Sequence, residues 1–292
     1  MGNKILVSGS NGFIGRNLME ALKGRGDEAV GIDRELFTDF EKLRKFILKE
    51  KPDVIYHLAA FGNHSNQDEP DQIIATNIMG TYILLRAVKG IPLKAFVNFS
   101  SSSVYGVKDS PMRETDTLEA DTFYGASKIA SEYLAKAASK KWDIPTVNVR
   151  LFSIFGEGEA EHRLIPTIVR NMVDGTKTTL DPDVPHDWLY IGDVITALFK
   201  IVENIDDLKG RVINIGSGQS HTNLEVFEML KIMSGRLFTD FEKVGSLREY
   251  KPIVWKADVE LLQRLGWNPT DFSTNLQRTL SYYESLYEPN KK

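Results

Sequence analysis

Lys4-Ile5-Leu6-Val7-Ser8 runs directly into Gly9-Ser10-Asn11-Gly12-Phe13-Ile14-Gly15, and the reading of this stretch decides the fold. A short apolar run reads as a buried strand, and the glycines after it read as a tight turn into a helix that begins near Phe13. Gly9 and Gly12 let the backbone turn and approach a pyrophosphate, and Gly15 lets the helix pack closely. The amides around Asn11, Phe13 and Ile14 at the helix start would face that anion. A glycine trio alone fits an ordinary βα turn as well. Asp33, at the end of the next strand, adds a second feature. Its carboxylate can accept hydrogen bonds from both adenosine ribose hydroxyls and repels a 2′-phosphate, which favours NAD. Arg34 directly follows it and reads either as a solvated surface arginine or as a partner for the phosphate of NADP.

Working outward, Lys4 to Ser8, Ala29 to Asp33, Val54 to Leu58, Ala95 to Ser100, Thr146 to Phe152 and Arg211 to Ile215 read as strands separated by helical patterns. Near-continuous apolar strands are buried on both faces, so the sheet should be parallel with helices on each side. Ile73, Ile74, Asn77, Ile78, Leu84, Leu85 and Val88 repeat at helical spacing, as do Ile129, Ala130, Tyr133, Leu134, Ala137 and Ala138. The fold class is α/β: a Rossmann-type, doubly wound parallel sheet with a smaller mixed C-terminal lobe. Residues 1–150, with 186–216 returning to them, are assigned to dinucleotide binding. Residues 151–185 and 217–292, where Gly156, Gly158, Pro166, Gly175, Pro182 and Pro185 break the pattern, are assigned to substrate. Between Asp33 and Asp53 there is room for only one helix, so a trimmed sheet and an open adenine pocket are expected.

Composition excludes several classes. The 292 residues carry 36 basic against 40 acidic side chains, with no global positive field for a nucleic acid polymer or an anionic membrane. No apolar run approaches a membrane span, and no secretion signal is visible at the start. Cysteine is absent, which removes disulfides, thiolate nucleophiles and sulfur-ligated metals and fits a reducing, cytoplasmic setting. No metal site is called for.

Tyr124-Gly125-Ala126-Ser127-Lys128 places a phenol and an ammonium on one face at the start of a helix. A free phenol, with a pKa near ~10, is a poor base at neutral pH. A nearby cation and the positive nicotinamide ring would favour the phenolate and bring it toward the working range. The pair alone also fits a surface tyrosine packed on a lysine stem. Ahead of it stands Asn98-Phe99-Ser100-Ser101-Ser102-Ser103-Val104-Tyr105-Gly106, at the carboxyl end of a sheet strand where ligand-facing residues gather. A serine hydroxyl is thereby available beside the phenol.

Taken together, the chain resembles the extended short-chain dehydrogenases/reductases of the nucleotide-sugar epimerase and dehydratase group. The resemblance covers nearly the whole length: GSNGFIG from Gly9 to Gly15, YHLAA from Tyr56 to Ala60, NIMGT from Asn77 to Thr81, the serine run, YGASK, RLFSIFG from Arg150 to Gly156, and HDWLYIGDV from His186 to Val194. It implies Tyr124 as base, Lys128 as its partner and Ser101 as the hydroxyl on the sugar oxygen. Leu58, Ala59, Ala60 and Asn77 would lie beside the cofactor. A nucleoside-diphosphate sugar is the implied substrate, contacted by Ser102, Ser153, His186 and Arg248.

Departures narrow this picture. The 4,6-dehydratases of the group carry Asp-Glu where this chain has Ser102 and Ser103, and the fucose-synthase type carries a cysteine at Ser103. Asparagine is common at Ser153, and arginine is expected at His186, which as histidine is a conditional cation or a neutral hydrogen-bonding group. His64 reads as a solvated loop residue. The leading expectation is an NAD-dependent 4-epimerase working through a transient 4-keto sugar. A 4-ketosugar reductase using NAD(P)H is the alternative, and a non-catalytic sugar-nucleotide-binding module a third. A homodimer is implied through Asp71 to Lys89 and Tyr124 to Lys140, with Tyr82, Leu85, Tyr133 and Ala137 as candidate contacts.

Overall fold

The computed structural model describes residues 2–62, 67–245 and 254–288. Strand β1 (Lys4–Ser8) turns into α1 (Phe13–Gly24), followed by β2 (Glu28–Ile32), a 3-10 turn (Arg34–Thr38), α2 (Phe40–Glu50) and β3 (Val54–His57). Next come α3 (Pro70–Ile73), a π turn (Ile74–Met79) and α4 (Gly80–Val88) as one helical run, then β4 (Ala95–Ser101), a 3-10 turn (Ser102–Val104), α5 (Phe123–Trp142) and β5 (Thr146–Leu151). The second half holds β6 (Ser153–Phe155), α6 (Leu164–Asp174), β7 (Thr178–Leu180), β8 (Pro185–His186), β9 (Trp188–Tyr190), α7 (Ile191–Glu203), α8 (Ile205–Leu208) and β10 (Val212–Ile215). It closes with β11 (His221–Thr222), α9 (Asn223–Ser234), β12 (Phe241–Lys243), α10 (Glu260–Arg264) and α11 (Phe272–Tyr287).

The main sheet has the order β10-β5-β4-β3-β1-β2 with every pairing parallel. Alternate residues feed two cores, as a pleat covered on both faces requires. Ile5, Val7, Tyr56, Val97 and Phe99 join one cluster, while Leu6, Ile55 and Phe96 join the other. Only the 3-10 turn and α2 separate β2 from β3, so β2 ends the sheet as an edge, in line with the trimmed sheet expected. The remaining strands make three two-stranded pairs, β11-β8, β12-β7 and β6-β9, which are the smaller mixed part.

Two expectations change. The helical repeat from Ile73 to Val88 is interrupted by the π turn, whose extra residue leaves the apolar spacing recognisable while turning Asn77 inward. Leu85 is 1% exposed and belongs to the second core, so it is not a surface contact; Tyr82, Tyr133 and Ala137 are exposed.

Helix α5 meets the sheet largely through polar side chains. Arg150 on β5 donates from Nε and Nη2 to the two carboxylate oxygens of Glu132 at 2.8 and 2.7 Å, and Ser100 Oγ donates to the same carboxylate at 2.5 Å. Both charged side chains are nearly inaccessible, at 3% and 4%. The guanidinium also lies over the Tyr105 ring at 4.7 Å. Removing one partner of such a pair strands the other charge in a dry interior. Glu132→Ala should therefore cost about 3–5 kcal/mol in a urea titration, and a loss under about 1 kcal/mol would show that water or a rearranged partner satisfies Arg150.

Candidate functional site

Parallel register gathers the site at one edge of the sheet. Ser8 lies level with Ile32 and with His57, so the loops that follow β1, β2 and β3 leave the sheet together. These carry Gly9 to Gly15, then Asp33 and Arg34, then Leu58, Ala59 and Ala60. Gly9 has a φ of +69°, and a side chain there would bring its Cβ to 2.9 Å from the Ala59 amide nitrogen. A Cβ on Gly15 would fall 2.2 Å from the Gly9 carbonyl oxygen. The Gly12 N–H closes the turn on that same carbonyl at 3.1 Å. No side chain caps the N-terminus of α1, so its first amides around Phe13 and Ile14 have no side-chain oxygen to face. Asn11, Asp33, Arg34 and Ala60 are exposed along this edge, and Leu58 and Ala59 are half-buried. An open helix start behind glycines that tolerate no Cβ fits a dinucleotide pyrophosphate.

The second cluster is built by the end of β4 and the start of α5. Thr122 caps α5 by accepting from the Gly125 N–H at 3.0 Å, which fixes the first turn and with it Tyr124. The Ser101 hydroxyl favours the ionised form of the Tyr124 phenol. Ser101 Oγ accepts from the Ser103 N–H at 3.1 Å and donates to Ser103 Oγ at 3.1 Å. Lys128 is buried, donates to the Phe99 carbonyl at 2.8 Å, and has its Nζ 5.7 Å from the Tyr124 ring centroid.

The protein's own groups shift the phenol upward, whereas the sequence expectation counted a lysine cation together with a nicotinamide ring. Burial pushes Tyr124 up to about 12, with the Ser101 hydrogen bond and the Arg163 charge pulling it back. Burial also pushes Lys128 down to about 8, with the nearby Glu132 charge raising it. Desolvation penalises the charged form of both groups, so without cofactor the phenol holds its proton more tightly than a free tyrosine does. Arg163, which precedes α6, is a cation that sequence reasoning missed. Nothing in its local spacing marks it, because it reaches Tyr124 only through the fold.

Asn77 joins the two clusters. Its amide accepts from the Phe61 N–H and donates to the Phe61 carbonyl, both at 2.8 Å, and donates to Ser127 Oγ at 2.8 Å. Ser127 Oγ in turn donates to the Tyr124 carbonyl at 2.7 Å.

On the substrate side, Ser153 Oγ and His186 Nδ1 stand 3.1 Å apart, and the His186 ring lies 5.0 Å from that of Trp188. Ser102 is buried within the 3-10 turn, where its carbonyl accepts from the Tyr105 N–H at 3.1 Å. Arg248 and His64 lie outside the described residues. Asp187 is a residue that sequence reasoning passed over although it stands in HDWLYIGDV. Fully buried, it accepts from the N–H groups of Ser217, Gly218 and Ala257 at 2.6, 3.0 and 2.9 Å and from the Ser217 hydroxyl at 2.7 Å. Burial pushes its carboxyl up to about 6 against the pull of those donors. It ties the strand carrying His186 to two loops of the C-terminal half. The described residues contain no cluster of ligands able to hold a metal ion.

Comparison with known proteins identifies the family. The chain is 28% identical to a protein of Bacillus subtilis named "Uncharacterized UDP-glucose epimerase YtcB", over 98% of this chain and 99% of that one. It is 26% identical to dTDP-glucose 4,6-dehydratase 1 of Escherichia coli, over 97% and 93%. The structure superposes on the UDP-glucuronic acid 4-epimerase of Bacillus cereus, solved with UDP-glucuronic acid and NAD, with a TM-score of 0.87 and 28% identity, covering 97% of this chain and 99% of that one. Residues 5–216 match the NAD dependent epimerase/dehydratase family, and the chain belongs to that family.

Proposed function

We propose that the protein is an NAD-dependent 4-epimerase of a nucleoside-diphosphate sugar. The observation that carries this reading is the Ser101, Tyr124 and Lys128 cluster at the sheet edge, with hydroxyls alone at positions 102 and 103. Eliminating water from a sugar needs a further acid and base beside the oxidised carbon, and a serine hydroxyl supplies neither at neutral pH. Reversible oxidation at one carbon needs only a group to take and return one proton.

Bound NAD supplies reversible hydride exchange with the sugar carbon. Gly9, Asn11, Gly12, Phe13, Ile14 and Gly15 would hold its pyrophosphate, Asp33 its adenosine ribose, and Leu58, Ala59, Ala60 and Asn77 the adjoining face. Asp33 disfavours the 2′-phosphate of NADP, whereas Arg34 is exposed and would favour it if turned inward. In this scheme Tyr124 takes the proton of the sugar 4-hydroxyl and later returns it. Ser101 holds the same oxygen, and Lys128, buried one turn along α5 from the phenol, would add positive charge beside it and hold the nicotinamide ribose. The sugar carbon passes through a ketone and receives its hydrogen on the opposite face.

The Bacillus cereus neighbour was solved with UDP-glucuronic acid, which makes UDP-hexoses and UDP-hexuronic acids the first substrates to test. Ser102, Ser153, His186 and Arg248 are assigned to that ligand. Exposed Tyr82, Tyr133 and Ala137 on α4 and α5, with Ile74, Met79 and Phe123 beside them, offer a surface for a second copy of the chain. A cytoplasmic location accords with the cysteine-free composition. No helix among the described residues is long and apolar enough to cross a membrane.

Tyr124→Phe should keep the fold and bind NAD, yet lose turnover by at least about a hundredfold; activity within a few-fold of wild type would remove Tyr124 from the chemistry. Epimerisation should proceed with no net change in reduced-nicotinamide absorbance. Stoichiometric consumption of NADPH with a 4-ketosugar nucleotide, and no interconversion of 4-hydroxy epimers, would favour the reductase instead. Light scattering at micromolar protein should return the mass of a dimer, and a monomer there would reject the paired-helix surface.

The depressed lysine gives a test that needs no substrate. Because burial lowers Lys128 from 10.5 to about 8, the folded chain binds one proton fewer than the unfolded chain between those values. This group makes the wild type gain stability as pH rises from about 8 to 10.5, with the penalty of the buried charge fully present below about 8. Lys128→Met has no such group, so its stability relative to wild type should be highest at neutral pH and fall through that window. Urea midpoints across the range check this, and a difference that stays flat with pH would show that the ammonium is not desolvated.

A further inference from the structure

His57 ends β3 with its ring 2% exposed, stacked against Phe37 at 6.2 Å and tilted against Phe96 at 6.1 Å. Both ring nitrogens are engaged: Nδ1 stands 2.7 Å from Ser8 Oγ and Nε2 stands 3.0 Å from Thr81 Oγ1. The proton positions follow from the neighbours. Thr81 Oγ1 donates its one hydrogen to the Asn77 carbonyl at 2.7 Å, so toward His57 it can only accept, and Nε2 must carry the proton. In the neutral ring Nδ1 is then bare and accepts from the Ser8 hydroxyl, which itself accepts from the Ala59 N–H at 3.2 Å. The result is one directed chain running Ala59, Ser8, His57, Thr81, Asn77. Its first two members flank Gly9 in the cofactor cradle, and its last is the residue whose amide holds Phe61 and Ser127.

We propose that His57 is a positioning residue, a neutral imidazole of fixed tautomer that locks the π turn carrying Asn77 against the loop that follows β1, and so sets Tyr124 relative to the bound dinucleotide. The chain contains no charge and runs from a backbone N–H to a backbone carbonyl, neither of which can exchange its role, so its direction is fixed and a shift at the end of β1 is passed to Asn77 through directed hydrogen bonds. Burial, reinforced by the Lys128 charge, pushes the imidazole down to about 3, which keeps the polarity fixed throughout the working pH range. A π turn at this point has a purpose in these terms: it presents the Asn77 carbonyl to Thr81 while its side chain faces Ser127. The inference rests on the proposed roles of Tyr124 and Lys128.

The test compares wild type, His57→Gln, His57→Phe, Thr81→Val and Tyr124→Phe. Three things are measured: NAD affinity of NAD-free protein, epimerisation of UDP-glucose and UDP-glucuronic acid, and the imidazole nitrogen shifts of 15N-histidine-labelled protein. The His57 signals, assigned by their loss in His57→Gln, should report protonated Nε2 and bare Nδ1 from about pH 5 to about pH 9. His57→Phe and Thr81→Val should each weaken NAD binding and lower kcat by about tenfold to a hundredfold, with the sugar-nucleotide KM within about twofold of wild type and the apparent pKa values of the pH profile unmoved. His57→Gln, which can still donate to Thr81, should recover part of both losses.

A proton on Nδ1, titration within that range, or loss of thermal stability with kcat and NAD affinity intact would each overturn the proposal. Tyr124→Phe keeps the two readings apart. If it still turns over, the catalytic assignment fails, while the tautomer and the NAD affinities continue to judge His57.

Discussion

The docking of α5 is the constraint on which the rest of the site depends, and it is made by polar contacts more than by apolar packing. Of the side chains that α5 buries, Ser127, Lys128, Ser131, Glu132 and Ser139 are polar, and only Ala135 and Ala138 are hydrocarbon. Ser127 meets Asn77, Lys128 meets the Phe99 carbonyl, and Glu132 meets Ser100 and Arg150. An apolar face can adjust to a small shift by repacking its neighbours at modest cost. A hydrogen-bonded face cannot, because each displaced donor or acceptor is left unpaired in a dry interior. Tyr124 and Lys128 lie one turn apart on the end of α5 that these contacts fix, so the geometry of the proposed proton transfer is specified by the same residues that hold the helix on the sheet.

Much of the architecture is readable along the chain because its causes are local. The six main strands are short and mostly apolar runs, and parallel register brings their carboxyl ends together, so finding the strands also locates the candidate site. Gly9 and Gly15 are legible for a similar reason: their place in the turn already implies a backbone approach that no Cβ allows. The π turn at Asn77 leaves no such trace, since one extra residue per turn hardly disturbs an apolar repeat. Leu85 was open to either reading at its spacing, and only the packing of α2 against α4 decides that it faces inward. Arg163 and Asp187 act across the fold, on Tyr124 and on Ser217, Gly218 and Ala257, and no spacing along the sequence encodes those encounters.

Asp187 shows how the C-terminal half is assembled on the main sheet. Between β8 and β9 it gathers three backbone N–H groups and one hydroxyl from the loops that follow β10 and precede α10. A carboxylate with several amide donors is compact and directional, and it places Ser153 and His186 at a fixed offset from the end of β5. The Asp187 side chain, and not that of His186, makes these backbone contacts, so the charge carried at residue 186 is separable from the scaffold beneath it.

The opposed shifts of Tyr124 and Lys128 have one cause and one consequence. Both groups are desolvated, so the neutral phenol is favoured and the ammonium is disfavoured. Creating a phenolate there requires positive charge brought close in a medium that screens poorly. Among the protein's own groups Arg163 supplies part of it, and under the proposed function the positive ring of NAD would supply more. Under the proposed function, proton abstraction would therefore depend on the charge of the bound dinucleotide, since the low dielectric that keeps the phenol neutral also strengthens any charge brought beside it.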